Sequence, residues 1–404
     1  MSTSALSGIR VADFTWAWAG SYSMMLLAIL GAQVIKIESR QRVDNARHQF
    51  SLSLPANAEI DEGHVFHQLN VNKLSVSLNL THPRARELAK KIISVSDIVA
   101  ENMRPGAMER LGLGYSELVK INPDIIMLSS SARGGTGPEC NYAGYAPNQS
   151  AVAGWSHLTG YADGEPTTLH ATPDLTNATM TAFYVLSALH HRFKTGQGQH
   201  IDASQVEILA CSIGDVVMEY TMNGNVPSRD GNRDQKMSPH NCYRCQGDDK
   251  WVSIAVSADE EWQALCHALD NPDWSRDERF ADAYSRWQNR DELDKLVQAW
   301  TIEHRHYELM ESLQRIGVAA IPSFSSDELL SDPHLNERGF FQELMHPVVG
   351  KVTVLGPPWK LSETPAQIVR HAPLLGQDSN YILGEILGMP RNEIGYLVEE
   401  RVIY

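Results

Sequence analysis

Five short apolar runs within residues 9–129 are spaced so that helices fit between successive runs. Residues 9–14, 34–38, 75–80, 97–102 and 125–129 read as strands. Residues 21–30 read as a helix stopped by Gly31, and residues 83–95 as a second helix opened by Pro83. Parallel strands need a crossover of a dozen or more residues, usually a helix, so this order predicts parallel pairing and an α/β, doubly wound core. A chain of 404 residues buries roughly three quarters of its unfolded surface and needs no disulfide or metal to hold it.

Beyond that core the pattern changes. Residues 138–172 are loop-rich, and a long helix is expected over residues 175–193, ended by Lys194-Thr195-Gly196-Gln197-Gly198. Residues 203–222 read as another helix, and residues 223–241, with Gly224, Pro227, Gly231 and Pro239, as a linker or active-site loop. A strand at 251–256, helices near 260–269, 290–300 and 307–316, and a strand at 318–324 outline a smaller α+β domain. Residues 344–355 are strand-like and 381–387 helical.

Composition excludes several classes of function. Lys plus Arg number 34 against 49 Asp plus Glu, a net charge of −15, which argues against general nucleic-acid binding and against a polybasic membrane contact. The longest apolar stretch, around residues 24–30, is far short of the ~20 residues of a membrane span. The opening MSTSALSGIRVADF has no basic segment followed by an apolar one, and five cysteines make an odd, sparse set. The expectation is a soluble cytoplasmic protein without a disulfide framework.

The first strand–turn–helix, with Glu38 closing the second strand, invites a dinucleotide-binding reading. Its turn, Trp16-Ala17-Trp18-Ala19-Gly20, lacks the glycines that let backbone approach a pyrophosphate, so this reading ranks low. Cys242-x-x-Cys245 supplies two of four zinc ligands with no second pair, and His190-His191 have no carboxylate partner, so no metal site is expected. Asp174, in Thr172-Pro173-Asp174-Leu175, reads as the N-cap of the long helix. On position alone the cap is the favoured reading, but an ionised nucleophile toward an acyl carbon is compatible with it. Arg40, Arg42, Arg47, Lys73, Arg104 and Arg110 collect where the strand ends would lie, a grouping able to hold a phosphate-bearing ligand or to be ordinary surface.

Taken together, the segments resemble the family III CoA transferases, the group that includes formyl-CoA transferase and carnitine CoA-transferase. The likeness runs through Leu6-Ser7-Gly8-Ile9-Arg10-Val11-Ala12-Asp13, Leu30-Gly31-Ala32 to Glu38, and Asn70-Val71-Asn72-Lys73-Leu74-Ser75. It continues through Glu101-Asn102-Met103-Arg104-Pro105-Gly106, the Gly160–Pro166 turn followed by Asp174, Thr195 to Asp202, Asp332-Pro333-His334-Leu335 and Ala372-Pro373-Leu374-Leu375-Gly376.

The resemblance implies a Rossmann-like large domain from residues 1–222 and 330–404, a small domain at 223–329, and two chains interlocked as a homodimer. It implies CoA or acyl-CoA as a substrate with no permanently bound cofactor, contacted by Trp18, Ala19, Arg40, Lys73, Asn102, Met103, Arg110 and Tyr145. Asp174 becomes the catalytic nucleophile, carrying CoA from an acyl-CoA thioester to a free carboxylic acid through a covalent aspartyl intermediate. Trp18, Ser39 and the glycine-poor stretch 233–238 depart from formyl-CoA transferase and imply an acid different from, or bulkier than, oxalate or formate. Two alternatives stand beside this. One is an α-methylacyl-CoA racemase-like epimerase, whose histidine would fall at Tyr145, a poor proton carrier at neutral pH with its ordinary pKa of ~10. The other is a non-catalytic acyl-CoA-binding subunit of a heteromeric transferase.

Overall fold

The computed structural model describes residues 4–48 and 59–404; Met1-Ser2-Thr3, part of the opening read for a leader, lies outside them. The chain divides into two compact units, one formed by Met1–Ser156, Thr167–Pro227 and His334–Tyr404, the other by His157–Pro166 and Ser228–Pro333. The segment 157–166, read from sequence with the large domain, belongs to the second unit. There Gly231 N–H donates to Gly160 O and the Arg229 guanidinium to the carbonyls of His157 and Gly164.

The first unit is built on six parallel strands: β1 (Arg10–Asp13), β2 (Gln33–Glu38), β3 (Leu74–Ser77), β4 (Ile98–Glu101), β5 (Ile126–Ser131) and β6 (His200–Ser204). Their order is β3-β2-β1-β4-β5-β6. Helices cover both faces, which is why the central strands read as unbroken apolar runs. On one face Ala12, Ile35, Val76, Val99 and Met127 pack on helix Pro83–Ser94 through Ala85, Leu88, Ala89, Ile92 and Ile93. On the other, Val11, Val34, Ile98, Ala100 and Leu128 pack on helices Ala19–Ile29 and Ala171–Thr195 through Met24, Leu27, Val185 and Leu189.

Two elements differ from the sequence expectation. The helix expected over 203–222 is two helices, Gln205–Cys211 and Gly214–Asn223, preceded by a strand, His200–Ser204, that was not expected. The β6 sequence His-Ile-Asp-Ala-Ser lies at the sheet edge, so three of its five side chains are polar and the apolar signal of a strand is missing. The long helix begins at Ala171 rather than near residue 175, because Pro173 is tolerated in a first turn whose N–H groups have no intrahelical partner. It ends where expected: Gly196 adopts φ +73°, and its N–H closes on Arg192 O at 2.8 Å.

The C-terminal segment completes this unit along β3. Ser75 N–H donates to Asp378 Oδ2, Asp378 N–H returns to Ser75 O, and Leu78 bridges Ile403. A hairpin, β10 (Phe341–His346) and β11 (Gly350–Leu355), follows the second unit's strands in sequence and brings His346 against His67 and His371, with ring centroids 4.3 and 5.0 Å apart. In the second unit β7 (His240–Arg244), β8 (Trp251–Ala255) and β9 (Ala319–Pro322) form an antiparallel sheet. Its core includes Trp262, Phe280, Leu293, Val297, Leu309 and Leu313. Cys245 is buried in that core, and burial pushes its thiol up to about 11. Among the described residues no helix is long and apolar enough to cross a membrane.

Candidate active site

In an open parallel sheet the strand order reverses at one place, and the loops leaving the two strands there diverge to open a crevice beyond their carboxyl ends. Here that place lies between β1 and β4. The turn after β1 is held by side chains from three directions. Thr15 N–H donates to Asp13 Oδ1 at 2.9 Å, Trp16 N–H to Asn102 Oδ1 at 2.7 Å, and Ala17 N–H to Asp44 Oδ1 at 2.8 Å. Asn102 Nδ2 also donates to Trp16 O at 2.9 Å. Gly20 makes room for this: a Cβ there would lie 2.5 Å from Thr15 Cβ and 2.8 Å from Asn102 Cγ. These three N–H groups belong to the turn that cradles pyrophosphate in dinucleotide-binding proteins. In this chain they are taken by its own carboxylates and an amide.

Beneath the turn lies a fully buried ionic quartet. Lys36 Nζ meets Asp44 Oδ2 at 2.8 Å and Lys73 Nζ meets Asp13 Oδ2 at 2.9 Å, with all four side chains excluded from solvent. The lysines also donate to the carbonyls of Thr15 and Ser21. Burial alone would depress Lys36, but the carboxylates of Asp44, Asp13 and Glu38 reverse that and hold it above its ordinary value. Burial brings Lys73 down to about 8, only partly offset by Asp13. Lys73 therefore does not line the cleft. Arg47 is buried as well, paired with Glu38 at 2.7 Å and lying 3.6 Å over the Phe66 ring. Two of the six basic residues grouped from sequence thus belong to the interior.

Above the turn, two adjoining cavities of about 770 and 470 Å³ form one cleft, sharing Trp16, Asn102, Ala132, Gly144 and Tyr145 as walls. The larger is also lined by Trp18, Ala19, Gln149, His170, Asp174 and Gln205. The smaller takes in Met103 and three arginines, Arg42, Arg104 and Arg110. Arg42 stacks on Trp16 at 4.7 Å, and Met103 N–H donates to the buried Glu101 carboxylate at 2.7 Å, which fixes the turn after β4. Of the residues expected from sequence, Trp18, Ala19, Asn102, Tyr145, Asp174, Met103 and Arg110 come together around the cleft. Arg40 is exposed and Lys73 buried, and neither lines it.

Asp174 lies inside the first turn of helix Ala171–Thr195, not at its cap, which is His170. Among the described residues its carboxylate has no hydrogen-bond partner, and burial raises it to about 7. It is the one carboxylate among the described residues lining the larger cavity. Under it runs a chain of buried amides: Asn177 Nδ2 donates to Gln149 Oε1, Gln149 Nε2 to Gln205 Oε1 at 2.6 Å, and Gln205 Nε2 to Ser130 Oγ. Gln149 and Gln205 were not anticipated. They lie on separate helices, and nothing in their local sequence marks two distant amides as partners.

At the switch point of a parallel sheet the cleft thus combines a carboxylate that has no hydrogen-bond partner among the described residues with an arginine-lined extension, groups chemically able to serve acyl transfer on a phosphate-bearing substrate. The model of CoA-transferase family III matches residues 6–379, and the chain belongs to that family. It is a CoA transferase, which moves CoA between an acyl-CoA thioester and a carboxylic acid. Succinyl-CoA–D-citramalate CoA-transferase of Chloroflexus aurantiacus is 32% identical over 406 residues, covering 98% of each chain. The beta subunit of succinyl-CoA–L-malate CoA-transferase from the same organism is 32% identical over 411 residues, 100% of this chain and 99% of the relative. A CAIB/BAIF family protein from Brucella suis has the same fold with a TM-score of 0.86 at 28% identity, over 95% of this chain and 100% of that one.

Proposed function

We propose that Asp174 is the nucleophile of this CoA transferase and that the cleft from Trp18 to Arg110 holds the acyl-CoA. The supporting observation is the Asp174 carboxylate itself, raised by burial, without a hydrogen-bond partner among the described residues, and lining the larger cavity. A more basic carboxylate is the stronger nucleophile once ionised. Arg42, Arg104 and Arg110 are the cations placed to meet CoA phosphates. Asn102, Met103, Trp18, Ala19 and Tyr145 shape the path between them and Asp174.

An Asp174 oxygen attacks the donor's thioester carbon and CoA leaves as thiolate, giving a mixed anhydride. The thiolate attacks the Asp174 carbonyl carbon and releases the donor acid, leaving an aspartyl-CoA thioester. The acceptor carboxylate attacks that thioester and expels the thiolate, forming a second mixed anhydride. Thiolate attack on its acyl carbon then yields the new acyl-CoA and restores the Asp174 carboxylate. Succinyl-CoA, named in both transferase relatives, is the proposed donor.

The active assembly is proposed to be a homodimer, since one chain carries both the carboxylate and the arginines. Helix Gly214–Asn223 supports an assembly: it has no buried residue, and Val217, Met218, Tyr220 and Met222 are exposed on it. The test is incubation with succinyl-CoA alone, trapping with hydroxylamine, and peptide mass spectrometry. Modification at Asp174, with Asp174→Ala folded but inactive, is expected. Near-parental turnover by Asp174→Ala would overturn the reading.

A further inference from the structure

We infer that Asp44 and Asn102 are positioning residues for acyl-CoA binding, acting by holding Ala17 in a left-handed turn that sets Trp16 and Trp18 as walls of the cleft. This rests on the cleft being the acyl-CoA site. Ala17 has φ +55°, a conformation that disfavours any residue with a Cβ by roughly tenfold or more. Such an outlier persists only where its surroundings over-determine it. Here the surroundings are named: Asp44 grips the N–H of Ala17, and Asn102 grips both polar groups of Trp16.

The clamps are themselves fixed. Asp44 Oδ1 also accepts from Ala46 N–H, and Oδ2 is occupied by Lys36 Nζ and Ser21 Oγ. The two indoles leave the chain on either side of Ala17. Trp16 lies under Arg42, and Trp18 packs on the patch of Val65, Phe66 and Leu69. Relaxing Ala17 to negative φ re-aims the peptide planes that carry them. Asp44 is buried and lines neither cavity, so its influence on substrate passes through this turn.

Glycine adopts φ +55° without a steric cost and so does not need to be held there. The experiment measures KM for succinyl-CoA and kcat for Asp44→Asn and Asn102→Ala, each made in the parent and in the Ala17→Gly background. In the parent, each clamp variant is expected to raise KM about tenfold with a smaller change in kcat. In the Ala17→Gly background the same substitutions are expected to raise KM less than about threefold. Equal losses in both backgrounds would overturn the inference. For Asn102 they would mean a direct substrate contact, and for Asp44 an effect unrelated to the turn. If Asp44→Asn does not fold, the Asn102→Ala pair decides, because that side chain is neutral and half-buried. Failure of the underlying site reading is distinct, since it appears as turnover by Asp174→Ala.

Discussion

Lys73 reaches Asp13 at 2.9 Å with both side chains wholly out of solvent, so a residue that the family resemblance placed on the ligand instead ties the start of β3 to the end of β1 in the interior. Removing one member of a buried pair leaves the other charge uncompensated, typically a loss of 3–5 kcal/mol. Lys73→Met is expected to lower the unfolding free energy by about that much. Lys73→Met combined with Asp13→Asn should recover a large part of it. Urea denaturation of the two variants checks this, and equal losses would show that the pair is not coupled.

Turnover should follow the ionisation of Asp174. Burial raises its carboxyl to about 7, and only the ionised form attacks, so kcat/KM is expected to climb through pH 7 to a plateau. Stability moves the other way. The unfolded carboxyl ionises near pH 4 and the folded one near 7, so burying the charge destabilises the fold increasingly across that interval and fully above it. Asp174→Asn should therefore be more stable than the parent by about 1–3 kcal/mol at pH 8, a gap closing toward pH 4, as thermal melts across pH would show.

Arg104 and Arg110 carry exposed guanidiniums beside the smaller cavity. Arg110→Ala is expected to weaken CoA binding by roughly tenfold at low salt and by less as salt screens the contact. Calorimetry at two ionic strengths measures this. Unchanged affinity at low salt would remove Arg110 from the site.

His67 gives the fold an acid limit. Both its ring nitrogens are buried without a hydrogen bond among the described residues, and burial, with His346, Arg47, His371 and His64 nearby, lowers it to about 4. Asp61 is a carboxylate close enough to act on His346, opposing its fall. Below about pH 6.5 the unfolded imidazole takes up a proton that the folded one refuses, so stability falls as pH drops from there to about 4. His67→Phe removes this proton uptake, and the acid-unfolding midpoint should move to lower pH by circular dichroism.

The parallel sheet was readable because strands buried on both faces leave apolar runs, and Gly196 and Pro83 marked helix ends by chemistry that operates locally. The edge strand His200–Ser204 was not, since exposure removes that signal. Asp174 was singled out, but its place within the helix depended on Pro173 entering the first turn. The interior ions Asp13, Lys36, Asp44 and Lys73 were invisible to hydropathy, which assigns charged side chains to the surface. Only a fold that brings residues 13, 36, 44 and 73 together supplies the partners that permit their burial.

The stitching of residues 376–403 onto β3 has a consequence for how the chain is made. Ser75 finds Asp378, and Leu78 finds Ile403, only after the ribosome has passed more than three hundred residues beyond them. The second unit, formed by residues 157–166 and 228–333 with a core between Tyr243 and Ala320, has that core in hand earlier. Synthesis thus inverts the order of the sequence. The middle of the chain can mature first, while the sheet begun at residue 10 waits, one edge unfinished, until residues 376–403 have been made.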